Sequence, residues 1–187
     1  MTGETTARLR AETAEAHRRL EDNLDIFGKI ASADARRRLV QRFHGLHAGA
    51  EAALAPWLTA VDGLAFGDRS RLPQLRRDLA ALGCGDPAPP ACRVAAPAGA
   101  AEALGLLYVL EGSSLGGRVI GRRLAADGID DTGLSFLDPY GPQVGEQWRA
   151  FTAVLERETV GDADREAAVA GALRGFQLAL DWLCEAA

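Results

Sequence analysis

The stretch ALGLLYVLEGSSLGGRVIGRRL, residues 103–124, decides the fold of this chain. Its apolar residues recur at helical spacing, which predicts one long buried helix. These apolar residues are Leu104, Leu107, Leu110, Leu115, Val119 and Ile120. The same stretch contains Gly105, Gly112, Gly116, Gly117 and Gly121. Each glycine costs a helix interior about 0.8–1 kcal/mol relative to alanine, so we expect a close contact that offsets this cost.

Three of these glycines share one side of the predicted helix. At 100° per residue, Gly105, Gly112 and Gly116 lie within about 40° of one another. They form a groove without side chains, which Gly117 widens, and such a groove lets another object approach the backbone closely. Two interpretations remain open: a second helix crosses there, or a flat ligand lies on the helix.

Composition limits the functions to consider. The chain has 187 residues, of which 48% are hydrophobic and 25% charged, as in ordinary globular proteins. Its formal net charge of -5 argues against a general nucleic-acid role. No secretory signal and no uncharged apolar run of about 18 residues is apparent, so we expect no membrane partner. The three cysteines lack metal-type spacing and predict free thiols in a reducing cytoplasm.

Further helices are predicted before the glycine-bearing stretch. The first begins with Thr5 or Thr6 as its cap and carries apolar residues as far as residue 24. The second begins at Ser32 and is ended or kinked by Pro56. A third spans residues 70–82.

The rest of the chain follows the same pattern. Proline- and glycine-rich connections cover residues 83–99 and 127–141, and two amphipathic helices follow the second of them. No convincing alternating strand pattern is present. The sequence therefore predicts an all-α bundle of about six to eight helices, in a single domain that spans residues 1–187.

His17 is a candidate ligand on the first predicted helix. It stands beside Ala16, at or near the face expected to meet the core. Arg10 lies two helical turns earlier, which predicts the same side at a distance of about 10 Å. An imidazole with a cation at that distance suits a flat metal complex that carries carboxylates. The alternatives are a hydrogen-bonded core histidine and a solvated arginine.

The other histidines and serines indicate no familiar catalytic site. His44, His47 and Glu51 share one side of the second helix, where they form either a metal site or an ordinary polar face. Ser113 and Ser114 have no evident histidine–acid pair for a hydrolase triad. The chain also lacks a phosphate-loop lysine, a GxSxG motif and the Glu-x-x-His pairs of di-iron bundles.

Two motifs together resemble the heme oxygenase family. They are LRAETAEAHRRLE, residues 9–21, and LYVLEGSSLGGRVI, residues 107–120. The EGSSLGG form, and LSFLDPYG at residues 134–141 before a helix with Trp148, are similar to the bacterial enzymes associated with phytochromes. The resemblance covers nearly the whole chain and implies a multi-helix bundle with haem between a proximal and a distal helix.

The resemblance also implies roles for individual residues. His17 matches the proximal histidine that ligates the haem iron, and Arg10 matches a basic residue that pairs with a haem propionate. Arg149 falls near a second basic propionate contact. The distal residues that match the family's catalytic and haem-contacting positions are Gly112, Ser113, Gly116 and Gly117. Many family members carry an aspartate where this chain has Ser113, so the oxygen-activating hydrogen bonds are expected to differ here.

The activity implied by the resemblance is oxygen-dependent cleavage of haem to biliverdin, carbon monoxide and ferrous iron. Haem is then both cofactor and substrate, with molecular oxygen and an external electron donor. Arg118, Arg122 and Arg123 form a basic patch for a ferredoxin or other reductase, or merely a solvated helix end. A bacteriophytochrome is the expected acceptor of biliverdin. Two alternatives are a haem-delivery protein with little turnover and a non-catalytic, partner-binding helical protein.

Overall fold

A computed structural model describes residues 3–84 and 89–184. The regular secondary structure of these ranges is helical, which confirms the all-α prediction. The helices are α1 (Glu4–Glu12), α2 (Ala14–Leu24), α3 (Ile26–Ile30), α4 (Ala33–Leu58), α5 (Leu72–Ala81), α6 (Ala100–Ala126), α7 (Val144–Glu158) and α8 (Asp162–Cys184). Across the same ranges, no helix is long and apolar enough to cross a membrane. Part of the predicted 83–99 connection, residues 85–88, lies outside the described residues.

The glycine-bearing stretch forms the single long helix α6, as predicted, and α8 is its main partner. The two helices cross where each of them contributes a glycine, Gly105 from α6 and Gly171 from α8. A Cβ atom on Gly105 would lie 1.8 Å from the carbonyl oxygen of Ala168, and one on Gly171 would lie 2.0 Å from that of Glu102. The backbones therefore meet directly, and only glycine fits at these two positions.

The predicted first helix is divided into α1 and α2. Thr13 interrupts it with φ -102° and ψ 0°, and its hydroxyl donates to the carbonyl of Leu9 at 2.7 Å. The prediction that Thr5 or Thr6 caps this helix is wrong, because both lie inside α1. Their backbone N–H groups instead donate to the carboxylate of Glu156 on α7, at 3.0 and 2.7 Å. The cap of α1 is thus supplied by a residue distant in sequence.

The bounds of α4 and α5 agree largely with the sequence. The Ser32 hydroxyl accepts from the backbone of Ala35 at 3.2 Å, which confirms the predicted cap. Pro56 lies in the last turn of α4, and the helix ends two residues later. α5 begins at Leu72 rather than residue 70, and Gly83 follows its end with φ +73°.

Two large hydrophobic clusters hold the bundle together. One draws on α1, α4, α6, α7 and α8, and the other on α3, α4, α5, α6 and residues 134–137. Because α4 and α6 contribute to both, the glycine-bearing helix lies at the centre of the packing. The single-domain span of residues 1–187 stays a prediction.

The connection before α7 is fixed by a buried carboxylate. Asp78 of α5 accepts from the backbone N–H groups of Ser135 and Phe136, at 3.2 and 2.9 Å, and from the Ser135 hydroxyl at 2.8 Å. These bonds hold residues 135–136 against α5, and residues 135–137 also pack on α6, where the carbonyl of Leu137 lies next to Gly117.

Candidate active site

The imidazole of His17 is exposed on α2, with 57% of its side chain accessible. Its ring centroid lies 5.5 Å from that of Phe176 on α8. Its Nε2 atom lies 3.4 Å from a carboxylate oxygen of Glu21, one turn further along α2. His17 thus lies near the core-facing side of α2, as expected, but its ring stands at the edge of the contact between α2 and α8 rather than inside the core. An accessible ring nitrogen is, however, what an external metal complex requires.

Arg10 and His17 belong to different helices. The break at Thr13 removes the argument that they lie two turns apart on one helix. Arg10 is exposed, and its positive charge acts on Tyr108 of α6. Burial raises the pKa of the Tyr108 phenol, and the positive charge of Arg10 opposes that rise. No carboxylate among the described residues forms an ion pair with Arg10.

An aromatic group continues from Tyr108 to α7. Trp148 lies 5.4 Å from Tyr108 and 5.7 Å from Phe151 between ring centroids. The next residue, Arg149, is exposed. Within residues 3–84 and 89–184, no carboxylate is paired with it. A Cβ atom on Gly112 would lie 3.8 Å from the Trp148 ring, so this aromatic group borders the glycine surface of α6.

Two of the predicted distal glycines lie at an open surface. A Cβ atom on Gly116 would have no heavy atom within 4 Å, and one on Gly112 would make only an ordinary contact with Trp148. Leu115 and Val119 stand beside Gly116 and are 38% and 66% exposed. This side of α6 is thus apolar, accessible and free of large side chains at its centre.

The other glycines serve packing instead. Gly105 belongs to the crossing with α8, and a Cβ atom on Gly117 would lie 2.0 Å from the carbonyl oxygen of Leu137. Of the two interpretations of the glycine groove, the crossing helix is confirmed at Gly105, and at Gly117 the structure shows a close contact with residue 137. A haem contact of Gly117 stays a prediction. Backbone from α8 and from residue 137 already occupies the space next to these two glycines.

The two serines of the EGSSLGG motif have different surroundings. Ser113 is exposed, and its hydroxyl donates to the carbonyl of Leu110 at 2.6 Å. Its oxygen is then left only as an acceptor toward the open surface. Ser114 is buried, and its oxygen accepts from Arg71 at 2.9 Å. Neither side chain reproduces a carboxylate at this position.

A buried polar network, which the sequence analysis missed, lies on the side of α6 opposite Gly112 and Gly116. Glu111 accepts from Arg69 at 2.7 Å, from Arg71 at 3.3 Å and from the Tyr140 hydroxyl at 3.0 Å. The guanidinium of Arg71 also stacks on the Tyr140 ring, 4.2 Å from its centroid. Glu111 itself could have indicated this network, because a charged residue within a predicted buried apolar run requires partners.

His47 and Glu51 extend this network on α4. His47 Nδ1 lies 3.3 Å from Glu51, which also accepts from the Ser70 hydroxyl at 2.5 Å and from the Arg71 backbone at 2.9 Å. Burial alone raises the pKa of Glu51, but these hydrogen bonds outweigh it and hold the pKa below its usual value. The pair is therefore part of a buried network rather than a solvated polar face.

His44 is buried close to this pair. It is 3% exposed, and neither ring nitrogen has a hydrogen-bond partner among the described residues. Burial lowers the pKa of His44, and the positive charge of Arg76 lowers it further. No group of three or more His, Cys, Asp or Glu side chains suited to a metal occurs in the described part of the chain. The metal interpretation of His44, His47 and Glu51 is thus not supported.

The predicted basic patch is partly neutralised. Arg118 lies 3.7 Å from Asp138, and Arg123 pairs with Asp127 one turn along α6. Arg122 is exposed. The patch therefore presents less net positive charge than the sequence indicates.

The residues implicated by the heme oxygenase resemblance comprise an exposed imidazole, an open glycine surface and exposed arginines. The helix with His17 and the helix with Gly112 and Gly116 both pack on α8. Phe176 of α8 touches His17 and belongs to the same hydrophobic cluster as residues of α6. Histidine is a common axial ligand of haem iron, and arginines form charge-assisted hydrogen bonds with carboxylates such as haem propionates.

Comparison with known proteins agrees with the heme oxygenase resemblance of the two sequence motifs. The sequence model of the heme oxygenase family matches residues 4–185. A heme oxygenase of Xanthomonas campestris pv. campestris is 40% identical over 152 residues, which cover 77% of this chain and 86% of that protein. The heme oxygenase PigA of Pseudomonas aeruginosa is 30% identical over 171 residues, covering 90% and 86% of the two chains.

The fold is likewise similar to a solved structure. The NO- and CO-bound heme oxygenase from Neisseria meningitidis superposes with a TM-score of 0.70 at 22% identity, over 97% of this chain and 92% of that one. At that identity the likeness concerns the fold, whereas the family profile and the closer relatives concern the sequence. The family model and the sequence relatives show that this chain belongs to the heme oxygenase family.

Proposed function

We propose that this chain binds haem between α2 and α6 and cleaves it oxidatively to biliverdin, carbon monoxide and ferrous iron. One observation carries the proposal. An exposed imidazole on α2 and an open glycine surface on α6 lie on helices that pack against the same helix, α8. The family membership supplies the reaction, in which haem is both cofactor and substrate.

His17 is the proposed axial ligand of the haem iron. Its exposure leaves a ring nitrogen accessible, and Phe176 supports one side of the ring. Glu21 lies within reach of the imidazole, and a carboxylate on the second ring nitrogen would orient the ring and raise its basicity. A neutral imidazole ligand also lacks the strong electron donation of a thiolate.

Gly112 and Gly116 form the proposed distal surface. Because no side chain stands at these positions, the haem face can approach the backbone of α6 and keep space for oxygen. Leu115 and Val119 provide apolar surface beside them and keep water away from that face. Gly117 has an indirect role here, since it lets residue 137 pack closely behind the helix.

Arg10 and Arg149 are the proposed partners of the propionates. Both are exposed, and neither is paired with a carboxylate of the described ranges. We add Tyr108, whose hydroxyl lies within the electrostatic influence of Arg10 and whose ring adjoins Trp148. Charge-assisted hydrogen bonds from such groups fix the rotation of haem in its plane.

When bound, haem supplies the iron at which oxygen is activated, with electrons from an external donor. The residues of the chain provide position and polarity. His17 holds one face, and the glycines leave the other face open. The Ser113 hydroxyl donates to the Leu110 carbonyl, so its oxygen would be left to accept a hydrogen bond at the edge of that face. We further propose a ferredoxin or similar reductase as donor and a bacteriophytochrome as acceptor of biliverdin, which rests on the resemblance of the EGSSLGG and LSFLDPYG motifs.

Haem titration followed by ascorbate in air tests the proposal. We expect stoichiometric haem binding, then loss of the haem absorption and appearance of biliverdin, whose isomer is identified by chromatography. Haem that is bound but remains intact with excess reductant would favour the haem-delivery alternative. No haem binding at all would favour a non-catalytic helical protein.

A further inference from the structure

We infer that Glu111 is a positioning residue that fixes the distal half of α6, and that it thereby determines which biliverdin isomer forms. The inference rests on the proposed function for its second half. That Glu111 fixes α6 concerns the chain alone, whereas its effect on the isomer requires haem turnover. Each statement therefore has its own measurement.

Glu111 points away from the open surface. At 100° per residue, Glu111 and Ser114 lie about 120° and 180° from the midpoint between Gly112 and Gly116. Glu111 therefore does not touch a molecule on the glycine surface. It contacts Arg69, Arg71 and Tyr140 on the other side of α6.

We call the contacts of Glu111 with Arg69, Arg71 and Tyr140 the Glu111 anchor, and its charged side chains are buried. The side chain of Glu111 is 2% exposed, and those of Arg69 and Arg71 are each 5% exposed. Charged groups so far from water are stable only when their partners are in place. The two arginines also come from a part of the chain distant from α6, so the anchor fixes the helix relative to the segment before α5.

Neighbouring contacts hold the same side of the helix. Arg71 donates to Ser114 at 2.9 Å, and the carbonyl of Leu137 occupies the space next to Gly117. Arg118 lies 3.7 Å from Asp138. Side chains and the backbone of residue 137 thus contact residues 111–118 on the side of α6 opposite Gly112 and Gly116, while the side with these two glycines remains open.

Because an α-helix is rigid over this length, Gly112 and Gly116 on one side of α6 move together with Glu111 and Ser114 on the opposite side. A rotation of α6 at Glu111 would shift Gly112 and Gly116 across the haem face and change which porphyrin edge lies beneath the free space. Ser113 does not resist such a shift, since its hydroxyl bonds within its own helix. Glu111 is the most heavily bonded side chain behind these glycines, so it is the one expected to set their position.

Glu111→Gln tests the inference, because it keeps the shape and removes the charge. Glu102→Gln is a matched control. Glu102 lies on the same helix, is 12% exposed and pairs with Arg174, but stands in the first turn. Tyr140→Phe is a milder variant that removes one donor from Glu111 and leaves both arginines, in case the first variant does not fold.

The first measurement is amide hydrogen exchange of the haem-free proteins. In Glu111→Gln we expect residues 111–124 to exchange more than about tenfold faster, because one partner of a buried ion pair has lost its charge. Tyr140→Phe is expected to show a smaller increase in the same residues. Glu102→Gln is expected to affect only the first turns of α6. Unchanged exchange of residues 111–124 in both Glu111→Gln and Tyr140→Phe would overturn the inference.

The second measurement is the isomer composition of the product. We expect one dominant biliverdin isomer from the native chain and from Glu102→Gln, and a mixture from Glu111→Gln or Tyr140→Phe. Haem affinity is expected to change by less than about threefold, because Glu111 makes no contact on the glycine side. A single unchanged isomer despite faster exchange would overturn the assignment to product specificity. Failure of the native chain to bind haem would overturn the proposed function instead, and the exchange result would still judge the anchor.

Discussion

The Nε2 atom of His17 lies 3.4 Å from Oε1 of Glu21 on the surface of α2. Both side chains are more than half exposed, so the pair itself contributes little to stability, about 0–1 kcal/mol. Its significance is chemical. A carboxylate beside the imidazole competes for the nitrogen that would bind iron, or orients the ring through the other nitrogen once the ring has turned.

His17→Ala is expected to keep the fold and lose the axial ligand. The exposed ring contributes little to the core, so the free energy of unfolding should change by less than about 1 kcal/mol. The ferric haem spectrum should change, and added imidazole should restore it. Glu21→Gln is the control, and it should bind haem with the ligand retained and a more positive reduction potential, because the imidazole loses its carboxylate partner. An identical spectrum for His17→Ala and the native chain would contradict the assignment.

Three glycines of α6 should respond differently to substitution. Gly116→Leu is expected to fold, because the space next to Gly116 is empty, and to lose haem turnover because its side chain fills that space. Gly105→Ala and Gly117→Ala should each destabilise the chain by about 1–3 kcal/mol or more, since a methyl group would overlap a backbone carbonyl. Circular dichroism melts beside haem titrations distinguish these effects. An unfolded Gly116→Leu would instead assign that glycine to packing.

Arg122 is the member of the basic patch best placed to meet a reductase, since Arg118 and Arg123 face carboxylates. Arg122→Glu should slow turnover with a ferredoxin about three- to tenfold at low salt, and less at high salt. Turnover with ascorbate should be unaffected. Arg118→Glu would place a carboxylate beside Asp138, so it should lower stability and affect both assays. Equal loss in both assays for Arg122→Glu would assign that residue to the haem site.

His44 should make the stability of the chain depend on pH. Burial and Arg76 hold its pKa below the ordinary value of 6.5, while His47 and Glu51 are its other charged neighbours. The unfolded chain therefore binds the extra proton first, and the free energy of unfolding should fall as the pH drops below about 6.5. His44→Leu should remove this component and raise stability by about 1 kcal/mol or more at pH 5.5, because an apolar side chain replaces a buried polar ring that has no hydrogen-bond partner within residues 3–84 and 89–184. Urea unfolding at pH 7.5 and 5.5 measures it; equal pH dependence in both proteins would contradict the prediction.

The sequence by itself determined the helical fold, the central glycine-bearing helix and the family. These follow from local patterns: the helical spacing of apolar residues, the caps and stops at Ser32 and Gly83, and two motifs in a fixed order. It also indicated which side chains to examine, including His17 and Gly116. Such features depend on residues that are close in sequence, so they can be predicted without the tertiary structure.

Only the tertiary structure decided how the glycines divide and what holds α6 in place. Gly105 and Gly116 share one side of an ideal helix, yet the first meets the backbone of α8 and the second meets open space. Likewise, the cap of α1 by Glu156 and the bonds of Glu111 join residues far apart in sequence. Spacing along a helix gives the direction of a side chain but not what lies opposite it, because the opposing surface comes from elsewhere in the chain.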